Sequence, residues 1–275
     1  MPSELPASAL YSSPSLGRIW QKVHLACSPY VLRRSVQKLY EHPAPILRKL
    51  LAGKSYHWIA LGCAEGQKEF LLSKRIPPSA SFHAADTNLH LARRASRRFI
   101  APKKSYTPID LTSPCLPSSI LRIPKPWLIT LFGVLPNLNP LPLLRRLRRE
   151  MQPGDLLLFS ANLAPGKSGF VGARRILPQY DNPPTRQWLE RAVQHFRPRL
   201  FNGHLEFGVF ADPHQRSLAR IEARWISSRR KSIVFSSRRP TTFQVESWIV
   251  SARLRKLSRF IDPDGEEGIW LTSSK

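Results

Sequence analysis

The stretch Leu61-Gly62-Cys63-Ala64-Glu65-Gly66-Gln67-Lys68 sets three small residues, Gly62, Ala64 and Gly66, at alternate positions between an apolar run and a helix-prone segment. Such a turn lets a backbone approach a ligand closely and leaves the first N–H groups of a helix pointing outward, which suits the anionic end of a nucleotide-like cofactor. The same spacing also makes an ordinary strand-to-helix turn. Asp86 follows 20 residues after Gly66. Its carboxylate can accept both hydroxyls of a ribose, or cap the helix that begins at Leu89, a role for which Asn88 competes. Asp110, in Pro108-Ile109-Asp110-Leu111, can meet an adenine amino group or shape a turn. Asn137, in Phe132-Gly133-Val134-Leu135-Pro136-Asn137, can offer its amide to a polar substrate or cap the next helix. Cys63 at a helix start is a conceivable thiolate, with packing in a tight turn the plainer reading. The eight His are scattered, no Ser/His/Asp or Cys/His set stands at convincing spacing, and the three Cys lack the CxxC spacing of a metal site.

The elements that must hold these residues alternate. Strands are expected at His57–Leu61, Ser81–Ala85, Tyr106–Leu111, Trp127–Leu131 and Asp155–Ser160, with helices at Lys68–Arg75, Leu89–Phe99 and Leu141–Met151. Alternation of this kind defines an α/β fold with a doubly wound, mostly parallel sheet, whose ligands gather outside the carboxyl ends of the strands. The unbroken apolar run Leu156-Leu157-Leu158-Phe159 is what a strand covered on both faces requires. Before this region, apolar residues from Ile19 to Leu50 recur at three- and four-residue steps, broken by Pro29, Pro43 and Pro45, which predicts two or three short helices behind a loose arm over residues 1–15. After it come a loop, a helix over Thr185–His195, and three alternating segments at Leu205–Phe210, Ser217–Trp225 and Ser232–Phe235. A helix over Glu246–Leu257 and a last strand over Gly268–Thr272 complete the chain. The expected division is a helical region over 1–50, an α/β domain over 51–165 and about 251–275, and a smaller α+β insertion over 166–250.

With 275 residues, 42% of them hydrophobic, the chain has ample material for a core. No run of about 18 apolar residues is present and the first 15 residues lack a signal-peptide layout, so neither membrane insertion nor export is expected and the reading is cytoplasmic. The net charge of +25 sets up a field that favours polyanions. Pairs such as Arg93-Arg94, Arg97-Arg98 and Arg148-Arg149 fall between apolar residues at helical spacing, as on a solvated helix face. Nucleic acid is therefore an alternative partner beside a small-molecule substrate.

The order of motifs, Leu-Gly-x-x-x-x-x-Lys over 61–68, Asp86, Asp110, Phe-Gly-x-x-x-Asn-Leu-x-Pro over 132–140 and Gly-Asp-x-Leu-Leu over 154–158, resembles the histidine-specific Nα-methyltransferase family of the ergothioneine pathway. The similarity is densest over residues 58–183, where Gln179-Tyr180-Asp181-Asn182 is similar to the family's Ala-Tyr-Asp-Asp stretch. The resemblance implies a Rossmann-like class I methyltransferase domain, S-adenosylmethionine as cofactor and the amine of a small amino-acid-like substrate as methyl acceptor, with a methyltransferase of RNA or protein, or a non-catalytic nucleic-acid-binding protein, as alternatives. It further implies that Gly62 and Lys68 hold the cofactor's methionine end, with Lys68 on the carboxylate, that Ala64, Gly66 and Gly133 also line the cofactor, that Asp86 takes the ribose, and that Asp110 lies beside the adenine. Tyr30, Asn137 and Tyr180 would face the acceptor's amino-acid group. Glu246 matches the family's imidazole-gripping Glu, whereas Trp248 stands where the family has a small hydroxyl residue, and Ala64 replaces a motif glycine.

Overall fold

The computed structural model describes residues 3–6, 9–197, 202–228 and 230–274, arranged as two compact units: residues 35–161, 242–263 and 267–275 in the larger, and 1–34, 162–241 and 264–266 in the smaller.

The larger unit is built on seven strands in the order β10-β11-β6-β5-β2-β3-β4. These are β2 (His57–Leu61), β3 (Ser81–Asp86), β4 (Lys103–Pro108), β5 (Trp127–Leu131), β6 (Leu156–Asn162), β10 (Leu254–Ile261) and β11 (Glu267–Ser274). The central strands β6, β5, β2, β3 and β4 pair in parallel, and β10 and β11 pair antiparallel. Strands β5 and β6 are buried along almost their whole length, as the apolar runs require. Each crossover helix starts and stops on local chemistry. Helix α7 (Leu89–Arg98) is capped by Asn88, whose side chain accepts from the His90 and Leu91 N–H groups. Helix α9 (Pro140–Glu150) has Pro at its first position and buries Leu143, Leu144 and Leu147 at helical spacing. Helices α4 (Arg34–Leu39), α5 (Ala44–Leu51), α6 (Gln67–Ser73), α8 (Ser118–Leu121) and α12 (Thr242–Ser251) complete the layers.

The smaller unit is a four-stranded sheet, β1 (Ser3–Glu4), β9 (Lys231–Arg239), β8 (Ala219–Ser227) and β7 (Gly203–Ala211) in spatial order. Helices α1 (Ala9–Ser12), α2 (Pro14–Cys27), α3 (Pro29–Leu32), α10 (Gly169–Ile176) and α11 (Pro183–Phe196) accompany it. Its core joins Leu10, Leu16, Trp188, Leu189, Trp225 and Val234. Two ion pairs are buried in it: Arg220 with Glu222, and Arg238 with Asp212 at 2.7 Å.

Four expectations change. The amino-terminal arm is not loose over its described residues: β1 pairs in parallel with β9, Leu5 and Leu10 enter the core, and Ser13 caps α2; residues 1, 2, 7 and 8 lie outside the described set. The two or three short helices expected over 16–51 are four, α2 to α5, because the backbone is extended at Arg33 (φ -118°, ψ 116°) and separates α3 from α4 without a proline. Residues 169–176, expected as loop, form α10; its Gly169 and Gly172 mask the pattern, and a Cβ at Gly172 would stand 2.2 Å from the Pro165 carbonyl. The helix expected over Glu246–Leu257 ends at Ser251, and Leu254 begins β10. A register shift between Lys256 and Ser258 interrupts the strand's alternation, so Leu254, Leu257 and Phe260 fall at three-residue steps and imitate a helix.

Candidate functional site

Asp86 ends β3 next to the end of β2, and the two strands pair in register from His57–Ser81 to Leu61–Ala85. One carboxylate oxygen accepts the Ala64 N–H at 2.8 Å and the other accepts the Asn88 N–H at 2.9 Å. Because Asn88 caps α7, Asp86 is free of that duty. A carboxylate offers about four acceptor positions, so two remain for a ligand. Burial raises its pKa and the two backbone N–H groups counter that.

The turn that Asp86 clamps is left-handed at three points, with φ of 60° at Gly62, 47° at Ala64 and 67° at Gly66. Ala64 tolerates a conformation that side chains disfavour because Asp86 holds its N–H. Gly62 and Gly66 each have a packing reason. A Cβ at Gly62 would lie 2.6 Å from Cγ2 of Val134, and one at Gly66 would lie 3.0 Å from the Ala95 Cβ on α7. We expect Gly62→Ala to destabilise the protein by about 2 kcal/mol in urea unfolding, from left-handed strain and this collision. Val134→Ala in the same background should recover part of the loss; equal stability of wild type and Gly62→Ala would refute the packing.

Lys68 reaches across the carboxyl ends of the central strands. Its Nζ lies 4.5 Å from the Tyr40 ring centroid and 3.1 Å from where a Cβ on Gly133 would stand, so a side chain there would crowd the ammonium, and the φ of 74° favours glycine. The Gly133 N–H donates to Ser160 Oγ at 2.9 Å, and the Tyr40 hydroxyl donates to Glu267 and lies 3.2 Å from Ser160 Oγ. Desolvation lowers the pKa of Lys68, while Glu267 and then Glu69 act to raise it. Glu69 is 1% exposed, its pKa is pushed up to about 7 by burial, and it accepts a long hydrogen bond of 3.4 Å from Thr130 Oγ1.

Lys68 and Gly133 stand out in the sequence, whereas Tyr40, Ser160, Glu267 and Glu69, which the structure places around them, do not. Tyr40 and Glu267 lie 227 residues apart, which no local pattern registers. Ser160, a polar residue closing the apolar run of β6, was the one readable signal.

The remaining candidates sit as follows. Asp110 is exposed and folds a turn, its Oδ1 accepting from the Thr112 N–H at 2.8 Å and hydroxyl at 2.7 Å. Asn137 ends a 3-10 turn over Leu135–Asn137, and Asn139 occupies the cap position of α9. Cys63 is buried, and burial together with Glu69 and Asp86 pushes its thiol well up, which removes the nucleophilic reading. Glu246 on α12 is ion-paired with Lys256 at 2.8 Å and Arg259 at 2.9 Å. Lys256 stands opposite Thr272, whose hydroxyl bonds the Leu157 carbonyl near the start of β6, so this cluster lies toward the amino ends of the strands, away from Asp86. Trp248 on the same helix is buried. Tyr30 and Tyr180 belong to the smaller unit. Tyr30 is buried, and the Tyr180 ring lies under the Arg239 guanidinium at 4.7 Å and beside Phe235. Among the described residues, no group of three or more His, Cys, Asp or Glu could hold a metal ion, and no helix is long and apolar enough to cross a membrane.

No family model and no curated protein matches the chain. Solved structures do. A crystal structure of an S-adenosylmethionine-dependent methyltransferase from Clostridium acetobutylicum shares 12% identity with a TM-score of 0.52, over 94% of this chain and 98% of that one. The CMeT domain of the citrinin polyketide synthase shares 14% identity with a TM-score of 0.53, over 97% of this chain and 59% of that one. With the sheet order above, these likenesses define the fold as the Rossmann-like class I methyltransferase fold accompanied by a separate small, mostly antiparallel sheet.

Proposed function

We propose that this chain is an S-adenosylmethionine-dependent methyltransferase. The observation that carries the proposal is Asp86, held by two backbone N–H groups at the carboxyl end of β3 with two acceptor positions left, beside a left-handed turn that it stabilises itself. The residues fit the cofactor: Asp86 for the ribose hydroxyls, Lys68 above the Gly133 cradle for the methionine carboxylate, and Asp110 on the adenine side. When bound, S-adenosylmethionine supplies a methyl already activated by its sulfonium, so the chain's task is orientation. The acceptor must present a free lone pair, which for an amine means the neutral form. We read that acceptor as the amine of a small amino-acid-like molecule, with Asn137 orienting it. The motif order of the sequence supports this reading; histidine as that acceptor draws nothing from Glu246, whose carboxylate is engaged by Lys256 and Arg259.

Calorimetric titration of the full chain with S-adenosylmethionine and S-adenosylhomocysteine tests the assignment. One site per chain is expected for each, and absence of heat and of any thermal shift with both would overturn it. A finer test addresses Lys68. The wild type should bind S-adenosylmethionine about 10- to 100-fold more tightly than its decarboxylated analogue, the range of one charge-assisted hydrogen bond. Lys68→Met should bind both alike, and an undiminished preference in that variant would remove Lys68 from the carboxylate.

A further inference from the structure

We propose that the α7–β4 edge of the larger unit is a docking surface for single-stranded nucleic acid. Residues 87–109 carry six Arg and Lys and no Asp or Glu. Arg93, Arg94, Arg97, Arg98, Lys103 and Lys104 are all exposed. Arg94 and Arg98 are both drawn to Glu65, at 2.7 and 3.7 Å. Among the described residues, Arg93, Arg97 and Lys104 have no ion-pair partner.

Arg93 and Lys104 share one flank, and Arg97 lies on the adjoining outward ridge of the helix. Helix α7 buries Leu91, Ala92, Ala95 and Ser96 against the sheet. At 100° per residue, the Arg94/Arg98 line and the Arg93/Arg97 line fall on opposite sides of that buried stripe. The first turns toward Glu65, in the turn after β2, so Arg93 turns toward β4, because the strands run β2-β3-β4, while Arg97 lies on the solvent-facing ridge of the helix next to Arg93. On β4, Lys104 and Tyr106 stand opposite Phe82 and Ala84. The Phe82 ring stacks on Phe99, at the end of α7, with centroids 3.8 Å apart, which puts Lys104 and Tyr106 on the sheet face that α7 covers. Strand β4 is the outer strand of the sheet and Tyr106 is 43% exposed. The edge therefore carries a line of uncompensated positive charge with an aromatic ring beside it.

Lysines on an edge strand discourage sheet-to-sheet pairing, and that accounts for Lys103 and Lys104. It does not account for two unpaired arginines on the helix or an accessible tyrosine. Phosphates along a strand would neutralise Arg93, Arg97 and Lys104, and a base can stack on Tyr106, the combination by which single strands are held. The inference goes beyond the proposed methyltransferase activity and does not depend on it.

Fluorescence anisotropy of a labelled 20-nucleotide single-stranded RNA with the full chain, over a range of salt, tests it. Three phosphate contacts predict a log–log salt slope of about −2, at roughly −0.7 per contact. Arg93→Glu/Arg97→Glu should bind at least about 10-fold more weakly with a slope reduced by about 1.4, and Tyr106→Ala at least about 5-fold more weakly. The charge-matched Arg18→Glu/Lys22→Glu variant, at exposed positions of α2, should stay within about twofold of wild type. Cooperative thermal melting establishes that each variant folds. Equal losses in the two double variants would reduce the binding to net charge alone and overturn the proposal. Absence of RNA binding, or capture of phosphatidylserine vesicles without RNA binding, would overturn it as well.

Discussion

Replacing Asp86 with alanine is expected to weaken S-adenosylhomocysteine binding by a factor on the order of 100 or more, the largest loss foreseen for any single change at the site. Each hydrogen bond to a charged acceptor is worth roughly 1.5–3 kcal/mol, and two ribose hydroxyls meet this carboxylate in the proposed complex. The same substitution strips the Ala64 and Asn88 N–H groups of their acceptors, so stability should also fall by about 1–3 kcal/mol. Asp86→Asn separates the two effects. Its one remaining carbonyl oxygen can keep a backbone contact and its shape fills the same space, but the charge and half of the acceptor capacity are gone. This variant should still melt cooperatively, below the wild-type temperature because its NH2 group faces one of the two backbone N–H donors, and bind S-adenosylhomocysteine at least about 10-fold more weakly. Affinity within twofold of wild type in a folded Asp86→Asn protein would leave the aspartate as a turn clamp and remove the ribose role.

What could be read ahead of the structure depended on how locally each residue's partners lie. Strands β2 and β5 match their apolar runs residue for residue, because a strand buried on both faces needs nothing but unbroken hydrophobicity. Strand β4 lies three residues before its expected place because an exposed edge, Lys103–Pro108, carries polar side chains and no burial signal. The bulge at Leu257 disguised β10 for a different reason: pattern recognition assumes a regular period. At the site, the turn after β2 and the aspartate after β3 were legible because both follow directly from strands that fix their position. The surroundings of Lys68 were not. Tyr40, Ser160 and Glu267 come from three distant segments, and a tyrosine between two helices has no sequence signature that distinguishes a buried hydrogen-bonding partner from any other aromatic. Glu246 is the opposite case. A matching residue type at a matching position drew attention, yet its carboxylate is satisfied by Lys256 and Arg259.

Glu69→Gln is expected to reverse part of the pH dependence of stability, through a residue that no motif identified. The folded protein holds this carboxyl at about 7 against an ordinary value near 4.5, chiefly by burial, so folding favours its protonated form. That preference contributes fully below pH 4.5 and is lost as pH rises through 7, a decline of roughly 3 kcal/mol. His83 on β3 works against it. Its imidazole is buried, Nδ1 lies 2.7 Å from Ser105 Oγ, and burial lowers its pKa from 6.5 to about 4. Folding favours the neutral ring, so this contribution is present above pH 6.5 and is lost as pH falls through 4, again by roughly 3 kcal/mol. The two gradients overlap and nearly cancel between pH 4.5 and 6.5, so neither is visible in the wild type alone. Glutamine keeps the shape of Glu69 and an acceptor for Thr130 while removing the titration. The stability of Glu69→Gln relative to wild type, from urea unfolding at intervals between pH 4.5 and 7.5, should therefore rise by about 3 kcal/mol with increasing pH. The His83 gradient, no longer opposed, should then appear in the variant's own profile as stability gained from pH 4.5 to 6.5. A constant difference between the two proteins across that range would show that Glu69 titrates as an ordinary solvated carboxyl and is not the desolvated group that its burial on α6 requires.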